Sequence, residues 1–202
     1  MDNTLKEHTG VEFKKLALPK TQMLTGIEYN DCTFLQCVFQ EVTFHDCKFH
    51  RCVFKKCDLS LAKLDGTVFT ETRFEDCKLL GVNWTTSAWG RSKLAAMKPV
   101  DFIGCALNYN VFMGMSLRRV VMTQCTALDV GFEDTNLSEA DCRETDFAGS
   151  RFARTELSGA DFRRARNYSI SALTNKIKGA KFTLPEAMSL LDGLGIVLED
   201  GS

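Results

Sequence analysis

No stretch of this 202-residue chain approaches the roughly eighteen consecutive apolar residues that a membrane-spanning helix needs. The opening, MDNTLKEHTG, has neither a basic n-region nor an apolar h-region, so no secretory signal is expected and the chain reads as cytoplasmic. Charge of either sign is not in excess: the net value is −1, which alone names no partner. A Gly-rich phosphate loop and a nucleophile-elbow motif are both missing. The three histidines offer no constellation either, because His45 and His50 fall one position after inward residues and His8 lies in the irregular start. Catalysis is left without a foundation, and no cofactor or metal is expected.

What is present is a five-residue clock, which must be sought before secondary structure. Stepping from Tyr29 gives Phe34, Phe39, Phe44, Phe49, Phe54, Leu59, Leu64, Phe69, Phe74, Leu79, Trp84, Trp89 and Leu94. After a slip of three the clock resumes at Phe102 and runs through Phe112, Leu117, Phe132, Leu137, Phe152 and Leu157 to Phe162, with only Ala127 and Cys142 small. Two positions before each large residue lies a small or β-branched one. Eight of the nine cysteines occupy that slot, and the ninth is Cys142. Asn110 and Met115 are exceptions.

A period of five fits neither a helix at 3.6 nor a simple strand at 2. It fits a coil in which each quintet makes one straight side and one corner, with a large and a small side chain filling a narrow interior. The hexapeptide left-handed β-helix needs a period of six, which the sequence never sustains. The cysteines lack the close-knuckle spacing of structural zinc sites, and an odd count without a signal argues against a disulfide framework. They read as small buried hydrophobes. Trp84 and Trp89 have inward phase and read as core.

The expected organisation is an N-terminal cap over 1–26, a first stretch of coil over 27–94, an inserted loop over 95–101, a second stretch of coil over 102–182, and a tail over 183–202. Ala180-Lys181-Phe182 reads as a last quintet. Thr183 to Glu186 has capping-box spacing before Ala187, Met188, Leu190, Leu191 and Leu194, with Gly193 and Gly195 to stop the helix. Ile196, Val197 and Leu198 form a short apolar strand candidate. A helix this short and this apolar needs cover, and a symmetric copy would supply it.

Two surface features stand out. Met97, Lys98 and Pro99 tip the inserted loop, which is either a tolerated insertion or a partner-contacting loop. Ile103, Tyr109, Val111, Met113 and Val121 are apolar at outward phase, either covered by that loop or forming an exposed patch. Charge is also uneven. Thr33 to Ala95 holds seven acidic and nine basic residues, whereas Asp129 to Asp161 holds nine acidic and three basic.

The quintets Ala140-Asp141-Cys142-Arg143-Glu144 and Ala160-Asp161-Phe162-Arg163-Arg164 resemble those of the pentapeptide-repeat family. The resemblance implies an all-β solenoid, a right-handed quadrilateral β-helix with four quintets per square turn. On that geometry residues twenty apart stack, giving ladders Phe34/Phe54/Phe74, Phe112/Phe132/Phe152, Leu117/Leu137/Leu157 and Cys37/Cys57/Cys77. The column would have about seven coils and be about 32 Å long.

Leu80-Gly81-Val82-Asn83-Trp84 before a mid-column loop, Asn167-Tyr168, the run Thr174 to Phe182 and Leu184-Pro185-Glu186-Ala187 are similar to the topoisomerase-protecting branch of that family. That branch comprises the Qnr-type quinolone-resistance and albicidin-resistance proteins. It implies a non-catalytic DNA mimic that binds DNA gyrase or topoisomerase IV, does not itself bind nucleic acid, and protects its target from antibiotic poisons. It also implies a homodimer joined through Leu184, Ala187, Met188, Leu191, Leu194, Ile196 and Leu198. Such a rod of about 65–70 Å would match about twenty base pairs. Asp129, Glu133, Asp134, Glu139, Asp141, Glu144 and Asp146 would then supply the acidic contact surface near its centre. The branch's first loop is absent, since the clock is unbroken from Tyr29 to Leu94. The open alternative is a pentapeptide scaffold for an unrelated partner.

Overall fold

A computed structural model of the chain describes residues 6–88, 100–192, Leu194 and Ile196. The quintet makes its own local structure. A three-residue strand such as Thr33–Leu35 or Val53–Lys55 turns its central side chain inward and the flanking two outward. Two residues past most large inward residues the backbone enters the left-handed region, as at Asp31, Gln36 and Glu41, and the chain turns a corner. Four such sides close one coil of an all-β solenoid, with short 3-10 turns at Trp84–Thr86 and Glu186–Leu191.

Coils hold one another through parallel hydrogen bonds. The Val53 N–H donates to the Cys32 carbonyl at 2.9 Å and the Arg73 N–H to the Cys52 carbonyl at 2.9 Å. On one side the rungs are Glu12–Lys14, Thr33–Leu35, Val53–Lys55, Arg73–Glu75, Asp101–Ile103 and Met122–Thr123, a six-stranded parallel sheet. Single bridges extend it through Asp141, Asp161 and Lys181. We number this side two. Side one carries Tyr29, Phe49 and Phe69, side three Leu59 and Leu79, and side four Leu64 and Trp84.

The twenty-residue ladders form. Phe34 stacks on Phe54 at 4.4 Å between ring centroids and Phe54 on Phe74 at 4.8 Å. Phe112 stacks on Phe132 at 5.6 Å and Phe132 on Phe152 at 5.0 Å. Leu117, Leu137 and Leu157 are all buried. Parallel rings offset along one axis add a specific term to the area they bury. Trp84 is buried within this column, and Trp89 lies outside the described residues.

The small slot asks for more than size. Cys57 Sγ donates to the Phe34 carbonyl at 3.2 Å, and Cys77 Sγ to the Phe54 carbonyl at 3.3 Å. Thr67, Thr72, Thr135, Thr145, Thr155 and Ser150 place their hydroxyls on the equivalent carbonyl of the preceding coil. The slot therefore takes a small side chain that can also donate, which is why cysteine, threonine and serine interchange there. The predicted thiol ladder Cys37/Cys57/Cys77 continues through Cys105 to Cys125. All nine thiols are free and buried.

Three expectations are corrected. First, residues before 27 do not fold over the end as a cap. Glu7–Thr9, Glu12–Lys14 and Met23–Thr25 pair in parallel with Glu28–Asn30, Thr33–Leu35 and Thr43–His45, so they are the first coil itself. His8 belongs to it and stacks on Tyr29 at 5.2 Å. This coil has one extra residue: Phe13 pairs with Phe34, 21 away, but Leu24 pairs with Phe44, 20 away. The extra residue shifts the phase, so Leu24 is buried and Met23 is exposed.

Second, Phe74 pairs with Phe102, 28 residues on where regular coils space 20, so this coil carries eight surplus residues instead of three. A five-residue phase cannot distinguish three from eight, because it is blind to a whole quintet. Leu94, counted as a repeat position, falls outside the described residues. The expected loop also ends early, since Val100 is buried and Asp101 begins a strand.

Third, the capping box does not form. Thr183 Oγ1 instead accepts the Arg164 N–H at 3.1 Å, and the helix that follows is a 3-10 helix over Glu186–Leu191 without a side-chain cap. Phe182 nevertheless stacks on Phe162 at 5.5 Å as a last rung. Gly193 and Gly195 lie outside the described residues.

Candidate partner-binding surface

The corners define the surface. The ridge between sides three and four runs Leu61, Gly81, Tyr109, Asp129 and Gly149, all at positive φ, and the first four donate their N–H to the next coil. The diagonally opposite ridge, between sides one and two, includes Arg51, Glu71, Arg119 and Glu139.

This geometry disperses the acidic residues that the sequence groups together. Asp129, Asp134, Glu139 and Glu144 are corner residues at positive φ, one on each of the four ridges. Glu133, Asp141 and Asp146 lie on three different sides. They encircle the column and do not form one face.

Most are also paired with arginine. Asp134 meets Arg154 at 2.7 Å, Glu139 meets Arg118 at 2.5 Å and Arg119 at 2.7 Å, and Glu133 meets Arg151 at 2.6 Å. Asp141 pairs with Arg143 at 2.7 Å, Glu144 with Arg164 at 3.6 Å and Asp146 with Arg166 at 3.1 Å. Asp129 makes no salt bridge to a described residue. The arginine hydrogen bonds hold the Asp134 and Glu139 carboxyls below their ordinary range. At Asp146 burial opposes the charge, but hydrogen bonds from Asn167 and Arg166 prevail and its pKa is lowered. The coil that follows, from Phe162 to Lys181, contains six basic residues and no acidic one. Arg164, Arg166 and Lys176 of this coil pair with Glu144, Asp146 and Glu156 of the coil before.

Sequence inspection by window missed this neutralisation, although the signal was present. Asp134/Arg154, Glu144/Arg164, Asp146/Arg166, Glu28/Lys48 and Asp31/Arg51 are each twenty residues apart.

The apolar outward residues also divide. Tyr109, Val111 and Met113 lie together on sides three and four, whereas Ile103 and Val121 lie on side two. Tyr109 is 63% exposed and Met113 47%. Leu61, on the Tyr109 ridge and 51% exposed, was not singled out because its phase is that of a polar corner.

Met97, Lys98 and Pro99 lie outside the described residues. Val53, Glu71, Arg73 and Asp101 line an open groove of about 320 Å³. Of the terminal apolar set, Leu184, Met188, Leu194 and Ile196 are exposed, and Ala187 and Leu191 are half-buried. Val197 and Leu198 lie outside the described residues. Leu173, 69% exposed, adds an apolar residue that the sequence reading did not include.

Among the described residues no group of three or more His, Cys, Asp or Glu is placed to hold a metal ion. No helix there is long and apolar enough to cross a membrane. His45 is exposed, and His50 is half-buried beside Arg51.

Comparison with known proteins returns two family matches, a pentapeptide repeat region over residues 27–98 and pentapeptide repeats in 8 copies over residues 132–166. No curated protein matches. Among solved structures, a trypsin-treated variant of QnrB1, a plasmid-mediated fluoroquinolone resistance protein, is 16% identical with a TM-score of 0.56. That match covers 96% of this chain and 98% of the other. A second trypsin-treated QnrB1 variant gives 17% identity, a TM-score of 0.53 and coverage of 96% and 100%. HetL, a pentapeptide repeat protein involved in heterocyst differentiation regulation in the cyanobacterium Nostoc, gives 15% identity, a TM-score of 0.40 and coverage of 88% and 87%. At these identities the likeness concerns the fold. With the five-residue clock, the square coil and both family matches in agreement, the chain belongs to the pentapeptide-repeat proteins.

Proposed function

We propose that this protein acts by binding alone, docking on DNA gyrase or topoisomerase IV and relieving poisoning by quinolone- or albicidin-type antibiotics. One observation carries the reading: the fold is matched along 98% of a chain of QnrB1, a plasmid-mediated fluoroquinolone resistance protein. The eight surplus residues between Phe74 and Phe102, with Met97, Lys98 and Pro99 among the candidates, support a contact segment at that coil. Exposed Leu184, Met188, Leu194 and Ile196 support a homodimer joined at the C-terminal ends.

The acidic residues support only a limited form of DNA mimicry. With carboxylates on all four ridges and arginines beside them, recognition would rest on rod shape and loop contact more than on a copied phosphate charge. Binding should therefore weaken only modestly with salt. The same neutralisation favours the second reading, a scaffold for an unrelated protein partner.

A supercoiling assay with purified gyrase and a cleavage-complex poison separates the two. Restored supercoiling with the intact protein, and none with a variant lacking Met97–Pro99, supports protection through the loop. No change across several poisons at micromolar protein would leave the scaffold reading.

A further inference from the structure

The geometry points to a self-complementary docking ridge on the corner between sides three and four, occupied by a second copy of this chain lying antiparallel alongside the first. This inference is independent of the end-to-end dimer and of any topoisomerase contact.

Three observations carry it. The first is a charge-free band. Among the described residues between Lys78 and Asp129, no outward position on sides three and four is Asp, Glu, Lys or Arg, in a chain that is 25% charged. Leu80, Tyr109, Met113 and Leu128 lie in this band, and Leu61 sits at its edge.

The second is conformational. Leu61 has φ 59° and Tyr109 φ 64°. Positive φ is the ordinary corner conformation of this solenoid, yet every other described non-glycine residue that adopts it is polar or charged. Leu61 and Tyr109 project outward from their corners, 51% and 63% exposed, and contribute little to the core. Large apolar groups placed at corners that are elsewhere polar call for an occupant.

The third is the order of residues and charges along the ridge. Successive coils present Leu61, Gly81, Tyr109 and Asp129. An antiparallel two-fold passing between Gly81 and Tyr109 brings Tyr109 of each copy over Gly81 of the other. No side chain rises from Gly81, and Leu61 leans across it, its Cδ2 only 2.8 Å from where a Cβ would lie. The Tyr109 ring would pack on that leucine. The same operation sets Asp129 beside Lys63, the exposed lysine two residues after Leu61. Neither makes a salt bridge to a described residue, whereas the neighbouring carboxylates Glu133 and Asp134 are already paired with arginine. Asp65, two residues after Lys63, is half-buried, so the pairing rests on the exposed lysine head. Opposite charges flanking a self-facing apolar ridge select this register over others.

Because all nine native cysteines are buried, a single introduced thiol reports proximity. Asn108→Cys, next to Tyr109 on the same coil and leaving its ring in place, treated with a short bismaleimide at micromolar protein should give a covalent dimer as the main product. Arg119→Cys, a corner residue on the diagonally opposite ridge, should stay monomeric. Adding Asp129→Lys to Asn108→Cys should lower the cross-linked fraction about fivefold, and Lys63→Asp in the same chain should restore it. Leu184→Asp, which would open an end-to-end dimer, should leave the 108 cross-link intact. Equal cross-linking at 108 and 119, or none at 108, overturns the proposal. Circular dichroism of each variant confirms that the solenoid is intact.

Discussion

At the scale of single residues, each quintet position has a physical specification narrower than polar or apolar. The small inward slot must fit beside an aromatic ladder and offer a donor to the coil below, so Cys57→Thr should cost little while Cys57→Leu should overpack the interior by about 1–3 kcal/mol. Burial pushes the Cys52 thiol up to about 12, and Cys77 is raised to about 12 by hydrogen bonding with Cys105 and by burial. None of the nine thiols should react with a thiol-specific reagent at neutral pH until the column is unfolded. A single fast-reacting thiol in the native protein would contradict that packing.

Corner positions have a different rule. Asp129 lies over Gly149, whose φ is +70°, and a Cβ there would sit 2.3 Å from Asp129 Oδ1. Gly149→Ala should therefore destabilise the protein by about 1 kcal/mol or more, read as a lowered Tm. The sequence showed which residues face inward. It did not show that a corner glycine makes room for a carboxylate twenty residues earlier, because that relation exists only once coils are stacked.

At the scale of the coil, rungs are joined by arginine–carboxylate pairs in which the carboxylate is the titrating partner. Arg51 holds the Asp31 carboxyl below its ordinary range, as Arg154 does for Asp134 and Arg118 with Arg119 for Glu139. A carboxyl with a lowered folded pKa stabilises above its unfolded value, and that contribution disappears as pH falls through the folded value. Tm should hold steady near neutrality and decline below about pH 4. Asp134→Asn with Glu139→Gln should blunt the decline, and an unchanged profile would show that these exposed pairs contribute nothing.

The interrupted coil gives a second prediction. Phe74 and Phe102 are in register across eight surplus residues, so deleting Ser92–Pro99 should close the coil to twenty. The expected result is an unchanged circular dichroism spectrum and a Tm within a few degrees of the parent. Here the phase of the repeat carried the position of the break and concealed its size. The acidic stretch was misleading for the same reason: a window along the chain is a path around four faces, whereas surfaces are built from every twentieth residue.

At the scale of the whole molecule, each coil touches only its neighbours, so stability accumulates along one axis. Terminal coils have a partner on one side only. Hydrogen exchange should be fastest in Glu7–Thr25 and in the terminal 3-10 helix, and slowest around the Phe54, Phe74 and Phe102 stack. Uniform protection from end to end would argue for a more cooperative column than nearest-neighbour contacts allow. The solenoid and its ladders were legible because a repeat states its geometry many times over. The ends were not: residues 6–26 differ from the repeat by one residue, enough to hide that they belong to it.

The twenty-residue register also governs how such a chain can change over generations. A duplication or loss of one full coil preserves every ladder, every corner and the handedness of the surface, and alters only length, by about 4.8 Å. Any other insertion must be accommodated outside the ladders, which keep their register from Phe74 to Phe102. Length is thus inherited in steps and ornament in single residues, so lineages can adjust the reach of the rod and the shape of its projections separately.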